Sequence, residues 1–184
     1  MFYFLRQNLF EHKNVINLVG HTVETGALSW ISGQKFQAPL KLQTLIVNPV
    51  HGDNFPDFFD STVPVMSNRL IDFLINLGVD NIDRYPVILN NIASGEDVGG
   101  YSAVNVIGCI DAEKLEESTY RLRFGKPYFT GGITIDKEKV GDASFFRTVY
   151  GPGFIVISQR IADALKAENW SGILLQPTVD FQVV

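Results

Sequence analysis

Between residues 51 and 100, eight carboxylates, Asp53, Asp57, Asp60, Asp72, Asp80, Asp83, Glu96 and Asp97, stand against only two cations, Arg69 and Arg84. Such an excess can attract and orient a basic protein before contact is made. The stretch Asn54-Phe55-Pro56-Asp57-Phe58-Phe59 lies in the same region and supplies apolar anchors of the kind that carry binding energy. Partner contact is therefore expected at Asp53, Asp57, Asp60, Asp80, Asp83, Glu96 and Asp97, with Phe55. The alternative is an ordinary solubilising surface.

Residue types suited to other chemistry are present without the spacing it needs. His12, His21 and His51 are scattered, and the single cysteine has no partner for a pairwise metal motif, so no metal and no other cofactor is expected. Ser67 and Ser158 are not in a Gly-x-Ser-x-Gly elbow, and both precede helical patterns, so they read as helix caps and not as nucleophiles. Cys109, inside the apolar run from Ala103 to Ile110, reads as a buried structural thiol. The glycine-rich stretch from Ser94 to Tyr101 lacks both phosphate-loop and dinucleotide spacing and reads as a flexible loop. An enzyme remains the alternative, with a pocket near residues 94–101 that draws on His21, His51, Glu96 or Asp97.

Two further charge patterns have modest readings. Asp111, Glu113, Glu116 and Glu117 form an acidic run expected to be a solvated turn or short helix. In Tyr120-Arg121-Leu122-Arg123-Phe124 strict alternation turns both arginines to one face. Two arginines can hold a phosphate or carboxylate, but the sequence places no third basic group beside them, and a wet face is the expectation.

The elements that must position these residues are set by an internal repeat. Val65-Met66-Ser67-Asn68-Arg69-Leu70-Ile71-Asp72-Phe73-Leu74 matches Val156-Ile157-Ser158-Gln159-Arg160-Ile161-Ala162-Asp163-Ala164-Leu165 position for position. Each copy reads as strand, serine cap and helix, with apolar residues at helical spacing. A further strand follows, through Tyr85 to Leu89 in one copy and Ile173 to Pro177 in the other. A double phenylalanine, Phe58-Phe59 or Phe145-Phe146, precedes each copy and is expected in the core. Arg69 with Asp72, and Arg160 with Asp163, are spaced for solvated i, i+3 pairs.

Strands are also expected at Met1 to Leu5, Val15 to Val19, Leu42 to Val47 and Gly131 to Asp136, the last after a turn. The fold class is α+β: a single β-rich domain, 1–184, with mixed sheets and two main short helices. Its repeat-like units, about 58–89 and 145–177, suggest a pseudo-duplicated strand-helix-strand plan.

At 46% hydrophobic and 19% charged residues the chain has a globular composition. Its net charge of -5 argues against a nucleic-acid partner. Met1 to Leu5 is followed at once by Arg6, so no export is expected, and Asn169-Trp170-Ser171 then has no consequence as a glycosylation pattern. No apolar stretch is long enough for a membrane helix, which leaves a cytoplasmic location without membrane association as the expectation.

From Val63 onward the order of features resembles the immunity protein eleven family of bacterial polymorphic-toxin systems. The residues that carry the resemblance are Pro64 to Leu74, Tyr101 to Ala112, Phe145-Phe146-Arg147, Ile155 to Leu165 and Ser171 to Leu175. It covers roughly the C-terminal two-thirds. It implies a small cytoplasmic binder that neutralises a cognate toxin, and it implies no catalytic residues; the acidic charge of the chain makes a basic toxin the expectation.

Overall fold

Successive side chains of a strand point to opposite faces of its sheet, and this decides where each phenylalanine of the two doublets goes. Phe58 and Phe145 enter one shared core, while Phe59 and Phe146 enter two separate outer cores. The structure, a computed structural model, describes residues 1–8, 17–18, 29–37, 41–48 and 54–182. His12, His21, His51 and Asp53 lie outside the described residues, as does most of the expected strand at Val15 to Val19.

The described chain runs β1 (Phe2–Gln7), β2 (Asn17–Leu18), β3 (Gln43–Asn48), β4 (Phe58–Phe59), β5 (Val65–Ser67), α1 (Asn68–Asn76), β6 (Ile82–Asn91), β7 (Asp97–Val106) and β8 (Cys109–Ile110). It continues with β9 (Tyr120–Arg123), β10 (Lys126–Phe129), α2 (Lys137–Val140), β11 (Phe145–Thr148), β12 (Ile155–Ser158), α3 (Gln159–Lys166) and β13 (Ile173–Pro177). Two mixed sheets result, a six-stranded one in the order β2-β3-β6-β7-β5-β4 and a five-stranded one in the order β13-β1-β12-β11-β8, with β9 and β10 forming a separate hairpin. The fold is α+β, as expected. Gly131 to Asp136 contributes only a single bridge, from Ile135 to Glu113, and no strand. Asp136 instead caps the short α2, accepting from the backbone of Glu138 and Lys139.

The two repeat copies pair in the same register. Phe58 lies opposite Met66 and Phe59 opposite Val65, just as Phe145 lies opposite Ile157 and Phe146 opposite Val156. In the first copy β5 then pairs with β7 and β7 with β6; in the second, β12 pairs with β1 and β1 with β13. The strand that completes the second copy thus comes from the opposite end of the chain. Both helices bury one apolar stripe, Leu70, Ile71 and Leu74 on α1 and Ile161, Ala162 and Leu165 on α3. These stripes meet in the shared core together with Met66, Val104, Tyr3 and Ile157 from the two sheets. One outer core gathers Trp30, Phe36, Leu45 and Val65 behind the larger sheet; the other gathers Phe4, Phe129, Val156 and Phe181 behind the smaller.

The two serines differ. The Ser67 hydroxyl accepts from Leu70 N–H at 3.2 Å and donates to Asp57 Oδ1 at 2.6 Å, so Asp57 holds the cap in place. Ser158 occupies the same position with extended backbone, yet its hydroxyl makes no capping bond and is buried without a partner. The expected cap therefore does not form, and Ser144, which stands where Asp57 does in the first copy, makes no bond to the Ser158 hydroxyl.

The i, i+3 pairs do not form either. Arg69 bonds Asp57, and Asp72 takes Arg84 at 2.7 Å. Arg160 donates to the carbonyl of Leu77 and to Ser144, while Asp163 accepts from Gln159. Fixed acceptors on neighbouring elements hold these arginines in place of a mobile carboxylate on their own helix.

Candidate partner-binding surface

The acidic residues do not form one patch. Asp57 is only 8% exposed, and its carboxylate accepts from the Ser67 hydroxyl, Arg69 and the backbone N–H of Ser171. This corrects its expected role as a partner contact, because a carboxylate already bonded three ways inside the protein anchors the fold. Asp60 is half-buried against Arg6. Burial pushes its carboxyl above the ordinary value, and Arg6 opposes this without cancelling it. Phe55 is half-buried and packs on Tyr101.

Asp80 is exposed, and Asp83 lies 3.6 Å from Lys35 near the start of β6. Glu96 and Asp97 are exposed at the far end of that strand, where Asp97 pairs with Asn90, roughly 25 Å away at about 3.3 Å per residue. The glycine-rich stretch is not a flexible loop. Gly95, at φ +72°, donates to Asn91 in a tight turn, and Asp97 onward belongs to β7.

Sequence reasoning missed two residues, Glu113 and Arg147. In the acidic run Asp111, Glu116 and Glu117 are exposed, but Glu113 is buried and its Oε1 accepts from the backbone N–H of Tyr150 and Gly151 at 2.8 and 3.0 Å. Arg147 is fully buried and donates to the carbonyl of Pro152 at 2.6 Å. Burial lowers its pKa to about 10, against the opposing influence of Cys109 and Asp60. Together the two side chains hold the turn at 150–152 from below. The nearest sequence signal was the apolar neighbour Ala112, which marks an inward-facing segment. Cys109 itself is exposed, because the strand breaks at Gly108 and β8 lies at the sheet edge; this corrects the expectation of a buried thiol. Partial burial and Glu113 raise its pKa.

The turn forms one rim of a cavity of about 600 Å³, walled by Tyr128, Phe129, Tyr150, Phe154, Leu174 and Phe181. Phe154, Phe4 and Phe181 form a mutual cluster of three rings, and the Arg6 guanidinium sits 5.4 Å from the centre of the Phe154 ring. The cavity is therefore lined by aromatic side chains with a cation at its edge.

Tyr128 and Phe129, which line the cavity, belong to the β9–β10 hairpin, which alternation divides into two faces. Arg123 lies opposite Lys126 and Arg121 opposite Tyr128, so these four share one face. Lys126 is the third basic group that the sequence did not place. On the other face Tyr120 lies opposite the buried Phe129, and their rings meet at 6.3 Å, fixing the base of the hairpin to the outer core. Beyond that base the hairpin is exposed: Leu122 at 69% and Phe124, at the tip, at 94%. The turn residues Phe124 and Gly125 have φ of 51° and 75°, as a two-residue type I′ turn requires. Phe124 is the one non-glycine residue with positive φ among the described residues, and a bulky side chain there is strained.

Fold and surface together define a β-rich α+β protein with an aromatic cavity beside a basic, apolar-tipped hairpin. Residues 24–180 match the immunity protein family (Imm11), and the chain belongs to that family. The match reaches some forty residues further toward the N-terminus than the resemblance read from Val63 onward, and β1 precedes it. No curated protein matches the chain. Among the described residues, no helix is long and apolar enough to cross a membrane.

Proposed function

We propose that this chain is a cytoplasmic immunity protein that binds a cognate toxin and neutralises it, and that it works by binding and not by catalysis. The observation that carries this reading is membership of the immunity protein family over residues 24–180. The surface supports it: an aromatic cavity with exposed apolar and charged residues around it is the composition of a protein interface. Exposed Asp80, Glu96 and Asp97, with Asp83 and the half-buried Asp60 and Phe55, remain candidates for contact with basic groups of the toxin. They act as separate contacts, given the distance between the two ends of β6.

Co-expression tests the reading. A toxin domain, if encoded next to this gene, should arrest growth alone, and growth should recover when this chain is supplied, with a stoichiometric complex isolated from the two purified proteins. No recovery together with no complex would refute the proposal. Recovery by catalytic destruction of the toxin or its product, without a complex, would place the chain among enzymes instead.

A further inference from the structure

The hairpin holds three of the chain's fifteen Lys and Arg residues and none of its twenty Asp and Glu residues. Arg121, Arg123 and Lys126 form no ion pair or hydrogen bond among the described residues, although the chain is acidic overall. Arg123 instead lies 5.8 Å from the Phe124 ring centre and 5.9 Å from that of Tyr128. A row of cations left without internal partners is available to carboxylates of another molecule.

The tip strengthens the point. Asparagine or glycine would adopt the type I′ turn with little strain, whereas phenylalanine adds strain and places a large apolar ring in water. Neither property helps the folded chain, and both suit an anchor that is buried on binding. Among the described residues the hairpin pairs with neither sheet and is anchored through its Tyr120 and Phe129 end, and Tyr128 continues its surface into the aromatic cavity.

We propose that the β9–β10 hairpin enters a cleft of the toxin, with Phe124 on an apolar floor and Arg121, Arg123 and Lys126 against carboxylates at the rim. This rests on the toxin-binding reading above. The cavity beside the hairpin receives an apolar side chain from the same partner. The partner surface so defined is an acid-rimmed apolar cleft, and the acidic side chains of this chain lie outside that contact.

The test uses the full chain and the toxin domain encoded next to its gene, purified in an inactivated form, with affinity measured at low and high salt. Phe124→Asn creates the Asn-Gly pair that type I′ turns favour, so the chain should remain folded with an unchanged or higher Tm while affinity falls by about tenfold or more. Reversal of Arg121, Arg123 and Lys126 to Glu should weaken binding further and invert its salt dependence, so that added salt then strengthens binding. A photo-crosslinking residue at position 124 should label an apolar segment of the toxin. If wild-type chain binds the toxin and the folded variants bind equally well, the hairpin proposal is wrong and the toxin-binding reading stands. If wild-type chain does not bind, that reading is wrong and the proposal goes with it. Binding of a single-stranded oligonucleotide, lost in the same variants, would assign the hairpin to nucleic acid and overturn the proposal.

Discussion

Arg69 and Arg160 hold equivalent positions in the two helices, and each reaches across to the chain leaving the other helix. Arg69 donates to the carbonyl of Asn169, beyond α3, at 3.2 Å, and Arg160 to that of Leu77, the C-cap of α1, at 2.8 Å. The backbone bonds beside them are also matched: Ser67 N–H donates to Asp57 and Ser158 N–H to Ser144, both at 2.9 Å. A positive group at a helix C-terminal end satisfies orphan carbonyls and opposes the negative end of the helix dipole. The exchange therefore ties the two copies of the repeat together.

Removing either arginine should destabilise the chain without changing its fold. Arg69 also bonds Asp57 and lies 4.2 Å from the centre of the Trp170 ring, but its side chain is well exposed, which limits the contribution of the ion pair. Arg69→Ala and Arg160→Ala are each expected to cost about 1 kcal/mol, lowering Tm by about 2–4 °C. A Tm unchanged in both variants would show that the exchange contributes nothing to stability.

The serines offer a sharper contrast. Ser67→Ala removes a helix cap and the hydroxyl donor to a buried carboxylate, so it should cost about 1–2 kcal/mol. Ser158→Ala removes a buried hydroxyl that makes no hydrogen bond, so its effect should be near zero or stabilising. Urea denaturation of the two variants measures the difference, and equal losses would contradict the geometry.

These serines also show how much of the fold the sequence made legible. Local pattern was sufficient for both helices, for the doublets and for most strands, because the apolar period reports which face is buried. It could not show that Asp57 stands beside Ser67, or that its counterpart Ser144 does not serve Ser158, because the difference lies ten and fourteen residues upstream of the two serines. Asp57 was misread as a surface contact for the same reason: charge counted along a chain says nothing of Ser171, more than a hundred residues away, which donates to it. The hairpin was half legible. Alternation gave the arginine face, but Lys126 joins it only through cross-strand register, and strain at Phe124 is a backbone property that residue type alone does not reveal.

Two glycines that follow the helices should respond unequally to alanine. Gly78 and Gly172 both have positive φ, at 86° and 68°, so each substitution carries a backbone cost of about 1 kcal/mol. At Gly78 an added Cβ meets nothing within 4 Å, but at Gly172 it would lie 2.4 Å from Cβ of Pro56. Gly172→Ala should therefore be clearly the more destabilising by Tm, and it should loosen the segment that carries Asp57. Equal effects would mean that Pro56 moves aside freely.

Tyr101 supplies a test by pH. It lies on β7, near the rings of Phe59 and Phe55, and burial, reinforced by the charge of Asp57 and opposed by Arg69, raises its pKa from 10.0 to about 12. The unfolded chain then gives up this proton before the folded chain does, so between pH 10 and 12 the folded state binds more protons. Stability must fall with rising pH across that window: the contribution of the neutral phenol is complete below pH 10 and is lost as pH passes 12. Tyr101→Phe has no proton to lose, so its denaturation midpoint should decline less steeply than that of wild type between pH 10 and 12. An ultraviolet difference titration of the two proteins should place the missing phenolate near pH 12, and ionisation near pH 10 would show that Tyr101 is solvated in the folded chain.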